Sequence, residues 1–236
     1  MRSGRADDSA GGVGGAVPGQ SRLTGVVPGQ GRRSRLPADD RRRQLVGIGL
    51  RMLTERPIHE LSVDKVASAA GISRGLLFHY FPTKRDFYVA VVRAAARRLL
   101  RACEPDPEAT PERQLAQMLD GYVRFLERRR DPYVALFRGT VGGADYVRQI
   151  YEDTREVFTF RALSALGLDD PPPLVALAVR GWFCFVEDTA LAWTVDKPVD
   201  RTALITMLVR SLHALVAAST SNPTMDPVHE TRPNVS

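Results

Sequence analysis

Cysteine is scarce: the 236 residues contain two, Cys103 and Cys184. Each lies inside an apolar helical pattern, so neither a disulfide framework nor a set of thiolate zinc ligands can be assembled, and a reducing cytoplasm is the expected setting. Histidine is nearly as sparse, with His59, His79, His213 and His229 only. Zincin and phosphate-loop patterns are missing, so no metal and no bound cofactor is expected. Long apolar runs are missing too. The longest, near Leu174 to Val195, is interrupted by Arg180, Glu187 and Asp188, which argues against a bilayer span and against a membrane partner. The N-terminus has no hydrophobic signal core. No segment alternates convincingly with the period of a strand, which removes sheet-based architectures.

What the chain does have is basic charge and helical periodicity. The formal net charge is +6 and the sequence pI about 9.7. The excess lies toward the N-terminus, from Arg32 to Arg43 and again around Arg74, Lys84 and Arg85. Such a distribution suits a polyanion, although membrane-surface and ribosome-associated proteins share it. Residues 1–37 are rich in Gly, Ser and Arg and carry an imperfect duplication, AVPGQSR then VVPGQGR. With so few large apolar groups they read as a disordered arm, and a misplaced start site is a competing account. The tail over 219–236 reads as unfolded as well.

Between the tails the spacing predicts an all-α chain of about nine helices. The first opens at Asp39 or Asp40 and stops before Pro57; short helices begin at Ser62 and Ser73, and a longer one runs from near Thr83 to about Cys103. The proline-rich stretch EPDPEATPE then marks a domain boundary, giving a first unit over 38–103 and a second unit over 104–218. In that second unit an amphipathic helix carries Leu115 to Leu126. Asp131 and Pro132 start a short helix, GTVGG forms a loop, and a helix spans Asp145 to Leu166. The triple proline Pro171 to Pro173 launches another, and Asp200 caps the last.

The segment VDKVASAAGISRGLLFHYFP carries the most information. Two short helices that cross steeply need a small residue where they touch, which Ala67 supplies, and a turn residue tolerant of positive φ, which Gly71 supplies. Ser73 caps the second helix, so its first turn exposes Ser73, Arg74 and Gly75, with Leu76 and His79 nearby, the end a recognition helix presents to base edges. Gly71 to Gly75 also spell G-x-S-x-G, the nucleophile elbow of hydrolases. That motif needs a strand before the serine, and VDKVASAA has helical period.

Together with the following aromatics, this segment resembles the TetR family of bacterial regulators. Phe78, Tyr80, Phe81 and Lys84 match the aromatic residues and lysine that follow the second helix in that family, and the resemblance spans roughly residues 40–95. It implies that Tyr80 and Lys84 contact DNA phosphates, that Ser62 and Lys65 add backbone contacts, and that Arg74, Gly75 and Leu76 face bases. The arginines Arg41 to Arg43, one helix upstream, are either a phosphate clamp, with Arg41 put forward, or a solvated helix start.

The last two helices have apolar arcs too wide for a single partner. Two-fold pairing into a four-helix bundle is the economical solution, and the resemblance implies the same homodimer. Aromatic residues recur through this unit. Tyr122, Phe125, Tyr151, Phe158, Trp182 and Phe185, with Asp188 as a polar group, either line a pocket for a small apolar or amphipathic effector or simply fill the core. The reading that follows is a dimeric transcription regulator, a repressor released from an inverted-repeat operator by an effector, and not an enzyme. A helical enzyme with the cavity as its active site is the alternative, as is a regulator without effector.

Overall fold

Helix boundaries here are set by side chains at the ends. The computed structural model describes residues 37–53, 61–138 and 145–221. All of the 1–37 arm except Pro37, the GTVGG loop and the tail beyond Ser221 lie outside them. Eight α-helices are present among these residues: α1 (Ala38–Met52), α2 (Val63–Ala70), α3 (Arg74–Tyr80), α4 (Lys84–Ala102), α5 (Pro111–Tyr133), α6 (Asp145–Ala165), α7 (Pro173–Asp196) and α8 (Arg201–Thr220). A π-helical stretch, Val134–Arg138, follows α5. No strand occurs among the described residues.

The caps are chemical. Ser62 accepts from the Lys65 N–H, Ser73 from Leu76 at 3.2 Å, and Asp200 from Ala203 at 2.8 Å. Thr83 and Asp86 form a reciprocal capping box at the start of α4. Each satisfies an amide that the helix itself leaves unpaired. Gly71 ends α2 at φ 65°, in the left-handed region where a side chain would be strained.

Three boundaries differ from the expectation. Pro37 rather than Asp39 or Asp40 precedes α1, and it offers no side-chain cap; both aspartates lie in the first turn, near the positive end of the helix dipole. The short helix expected from Asp131 begins earlier and is joined to the preceding one across a kink. Thus α5 continues to Tyr133 and breaks inside, at Arg129 (φ −143°, ψ 32°). Pro132 explains the place of the break, because it lacks an N–H and its ring crowds the carbonyl four residues back, at Arg128. Finally, α8 runs to Thr220, two residues beyond the predicted end at Ala218.

Three apolar clusters follow one another along α4. The first gathers Leu45, Ile48, Val66, Leu77, Phe81, Phe87 and Val91 from α1 to α4. The second is a small patch of Val92 and Ala96 against Val147 and Ile150 of α6. The third starts at Leu99 and Cys103 and extends through α5, α6, α7 and α8. Thus α4 belongs to both the head (α1–α4) and the body (α5–α8). Its last carbonyls, Leu100 and Cys103, accept hydrogen bonds from Arg161 of α6 at 3.1 and 3.2 Å. Burial pushes the Cys103 thiol up to about 12, which makes it a packing residue and not a nucleophile.

Candidate nucleic-acid interface

The head divides α3 cleanly into two faces. Leu77 is wholly buried against α1 and α2, whereas Ser73, Arg74, Gly75, Leu76 and His79 are exposed. The turn before it is fixed by two backbone bonds of 3.0 Å, from Gly71 to Ser68 and from Ile72 to Ala67, so the exposed face has a set direction. Gly75 meets no internal steric demand. A Cβ there would find only Ser73 Oγ, at 3.9 Å, so its small size matters on the outward side, where it permits close approach.

Arg74 is positioned rather than free. Its guanidinium lies 3.3 Å from both carboxylate oxygens of Asp64 on α2 and 5.4 Å from the Phe78 ring centroid. Lys84 is exposed at the first residue of α4, with its ammonium 5.1 Å from the Tyr88 ring. Tyr80 is half-buried, its ring 5.5 Å from that of His79. Lys65 is exposed, while the Ser62 hydroxyl is engaged with the Lys65 amide. Arg41 reaches Gln44 at 2.6 Å on its own helix.

Arg42, weighed with Arg41 and Arg43 as a phosphate clamp or a solvated helix start, has a structural role that neither reading anticipated. It donates to the Tyr80 carbonyl at the end of α3 (3.2 Å) and stacks 4.6 Å from the Phe81 ring, tying α1 to the recognition helix. The signal was available: Arg42 lies three and seven residues before Leu45 and Gly49, in line with the buried face of α1.

A small helix with an exposed polar and glycine-containing face, capped at a fixed angle on a second helix, is a device for entering the major groove. Comparison with known proteins points the same way. The family model described as bacterial regulatory proteins, tetR family, matches residues 48–91, and the tetracyclin repressor-like C-terminal domain matches 111–215. A TetR-family regulator from Streptomyces coelicolor of known structure is 32% identical, covers 78% of this chain and 83% of its own, and superposes with a TM-score of 0.67. The chain belongs to the TetR family. The transcriptional activator FasR of Mycolicibacterium smegmatis is 27% identical over 179 residues, which is 74% of this chain and 82% of FasR. The regulator BetI of Escherichia coli is 31% identical over 85 residues, covering 34% of this chain and 44% of BetI. This TetR-family protein is therefore a helix-turn-helix transcription regulator and not an enzyme.

The body of the TetR-family fold holds the aromatic residues in unequal situations. Tyr122 and Phe158 are buried with Phe183: the two phenylalanine rings stack at 4.5 Å, and Tyr122 meets them edge-on at 5.5 and 5.3 Å. Trp182 pins α7 to α8, donating toward the Leu208 carbonyl (3.1 Å) and the Ser211 hydroxyl (3.0 Å). Tyr151 is half-buried. Phe185 and Asp188 are exposed. Phe125 lines a cavity of about 50 Å³ beside Leu50, Arg98, Arg129, Tyr133 and Phe137, where the head meets the body.

The polar centre is Glu187, 1% exposed, which the set of candidate residues omitted. The Tyr133 hydroxyl donates to one of its carboxylate oxygens and the Tyr151 hydroxyl to the other; Tyr122 and Tyr133 hydroxyls lie 2.9 Å apart. Burial foremost, and then the nearby Glu187 and Tyr122, hold the Tyr133 phenol far above its usual range; burial and the bond to Glu187 raise that of Tyr151. Both stay protonated donors. Glu187 falls four residues after Phe183, on the buried side of α7, which the helical period could have revealed. Among the described residues no group of three or more His, Cys, Asp or Glu is arranged to hold a metal ion.

Proposed function

We propose that the protein is a homodimeric repressor that binds an inverted-repeat operator in the cytoplasm and leaves it when a small apolar or amphipathic effector enters the body. The single observation that carries the DNA half of this reading is the exposed, pre-oriented face of α3. Base contacts fall to Arg74, Gly75 and Leu76, with Ser73 and His79 beside them; phosphate contacts fall to Tyr80, Lys84, Ser62, Lys65 and Arg41. The functional units are 38–103 for DNA and 104–218 for effector and pairing.

Pairing is supported by large apolar side chains left exposed on the last two helices: Leu174, Leu177 and Phe185 on α7, Met207 and Leu215 on α8. Helix α8 is long and apolar enough to cross a membrane by composition, with 17% of the relevant stretch buried. In this reading a second protomer covers that face. Two recognition helices in successive major grooves then stand about 34–36 Å apart.

The effector reading rests on the aromatic cluster of Tyr122 and Phe158, with Tyr151, Trp182, Phe125, Phe185 and Asp188 around it. Of these residues Phe125 lines the cavity of about 50 Å³, which is smaller than the roughly 300–1,000 Å³ of ordinary ligand sites, so this reading requires the cavity to enlarge toward the aromatic cluster on binding. Effector binding opens it by displacing Tyr133 and Phe137, and the altered seat of α4 respaces the recognition helices. Such coupling needs different effector affinities in the two states.

The test pairs Arg74→Ala with Lys84→Ala on a duplex selected from bound genomic fragments and on random duplex. Loss of Arg74 is expected to cost about 1–3 kcal/mol on the selected site with little change on random DNA. Loss of Lys84 is expected to weaken both alike and to reduce the salt slope by about one unit. Sedimentation showing only monomer, or a bound site without dyad symmetry, rules out the dimeric reading. A reporter for the adjoining gene decides between repression and the activation for which FasR is named.

A further inference from the structure

We propose that the groove between α1 and α4 is a second ligand site, for a small phosphoanion with an apolar portion; it borders the cavity between head and body, sharing Leu50 and Arg98 with it, and does not depend on the effector reading. The groove has a volume of about 1070 Å³, of the size that accommodates small ligands. Its floor is apolar, with Val46, Gly47 and Leu50 from α1 facing Val89, Ala90 and Ala94 from α4. Along one wall stand Arg93, Arg97 and Arg101, at four-residue spacing and so about 6 Å apart along the helix axis. Arg98 adds a fourth guanidinium, Arg42 and Arg43 line the opposite side, and two carboxylates, Asp39 and Asp86 in the first turns of α1 and α4, line the groove as well, so that six guanidiniums face two acids.

Arg93, Arg97, Arg98 and Arg101 make no ion pair with any described residue, whereas Arg43 has Asp40 and Arg161 has Glu104. Like charges four residues apart on a helix repel one another. The positive potential also reaches beyond the groove: Arg129 is lowered by burial first and then by the neighbouring Arg98 and Arg128. A sequence that tolerates this repulsion along an open, apolar-floored channel has built a place for an anion. Arginine forks favour phosphate groups, which accept two parallel bonds from each.

Duplex DNA is the competing occupant, and two observations favour the small ligand. Arg93 and Arg101 stand nine and seventeen residues along α4 from Lys84, about 13 and 25 Å away from the expected phosphate contact. A floor of valine, leucine and alanine, moreover, offers nothing to a sugar-phosphate backbone and suits an alkyl chain or a base.

The experiment titrates the full chain with dodecyl phosphate, adenosine triphosphate and inorganic pyrophosphate by calorimetry. It is repeated on Arg97→Gln/Arg101→Gln and on the charge-retaining Arg97→Lys/Arg101→Lys, and binding of all three proteins to random duplex DNA is measured in parallel. Saturable binding at one site per protomer is expected for at least one of the two phosphates with an apolar portion, more tightly than for pyrophosphate. The glutamine variant should lose about tenfold or more of that affinity and the lysine variant less, with DNA binding unchanged in both. Absence of saturable binding by both apolar phosphates, or equal binding to wild type and the glutamine variant, overturns the site. So does a loss of DNA affinity in the glutamine variant with a salt slope smaller by about two units, which would make the ladder a DNA contact.

Discussion

The head and the body are both helical, yet they are held together differently. In α2 and α3 the determining contacts are local: Ser62 with Lys65, Ser73 with Leu76, Gly71 with Ser68, each within three residues. In the body they are remote, as between Tyr133 and Glu187, Arg161 and Leu100, or Trp182 and Leu208. A binding element that must present one face at one angle is well served by caps and a turn, whose geometry is set within a few residues, with Arg42 of α1 holding the far end of α3. Under the proposed effector reading, the body is served by a buried network whose members lie on separate helices, because shifting one helix changes the whole set.

The largest expected effect falls where head and body touch. A Cβ on Gly121 would stand 2.2 Å from the Ala102 carbonyl oxygen and 3.0 Å from Cys103 Cα, both backbone atoms at the end of α4. Neither can rotate away, so Gly121→Ala must separate α4 from α5, at about 3 kcal/mol and a melting temperature lower by roughly 6–12 °C. Gly47→Ala is the contrast. Nothing lies within 4 Å of its Cβ, and the gain in helix propensity should stabilise the protein by about 1 kcal/mol. Thermal unfolding followed by circular dichroism checks both, and equal effects would mean that the α4–α5 crossing is looser than described.

Next in size is the body's network. Tyr133→Phe removes the donor to one Glu187 oxygen and the partner of the Tyr122 hydroxyl, leaving buried polar atoms short of hydrogen bonds. The expected loss is about 1–3 kcal/mol in denaturant unfolding. If the small cavity is gated by Tyr133, the variant should also respond to effector at lower concentration, and a loss below about 0.5 kcal/mol would show that water replaces the hydroxyl easily.

In the head, Ser73→Ala should cost about 1 kcal/mol by removing one cap. Ser73→Asp restores the cap but puts a negative charge on the DNA face. It should therefore recover stability and still bind DNA less tightly than wild type, a separation visible by comparing unfolding with fluorescence anisotropy. Parallel behaviour of the two readouts in Ser73→Asp would place Ser73 away from DNA.

The same contrast explains what could be read before the fold was known. Both serine caps, the turn at Gly71, the start of α4 at Thr83 and the proline start of α7 were legible, because a cap or a proline acts on its own neighbours. The kink at Arg129 was misplaced by two or three residues: Pro132 disrupts the turn before it, so its effect appears upstream of the residue that causes it. The aromatic residues of the body were recognised as a set, but periodicity could not separate one facing the core, Trp182, from Phe185 on the open face of the same helix, since α7 is apolar on nearly every side. Glu187 was noticed as a charge and not as the centre of a network, because Tyr133 and Tyr151 reach it from distant parts of the chain.

The smallest expected effect on stability is the most informative about the head. Asp64 and Arg74 form an ion pair at 3.3 Å, with side chains 59% and 62% exposed. Pairs so open to water contribute little, and Asp64 adds only a first-turn carboxylate near the start of α2, so Asp64→Asn should lower stability by about 0.5 kcal/mol. Its effect on DNA binding has two parts of opposite sign. Removing a negative charge beside the recognition helix reduces repulsion of every phosphate, and random duplex should bind roughly two- to fivefold more tightly, with a gain that fades as salt rises. Arg74, however, loses the carboxylate that holds its guanidinium in one orientation, and a bidentate contact to a guanine depends on that orientation. The ratio of selected to random affinity should therefore fall although both affinities rise. Anisotropy titrations on the two duplexes at several salt concentrations measure that ratio directly. An unchanged ratio would show that Arg74 orients itself on the base without help from α2, and unchanged binding to random duplex would place Asp64 away from the DNA.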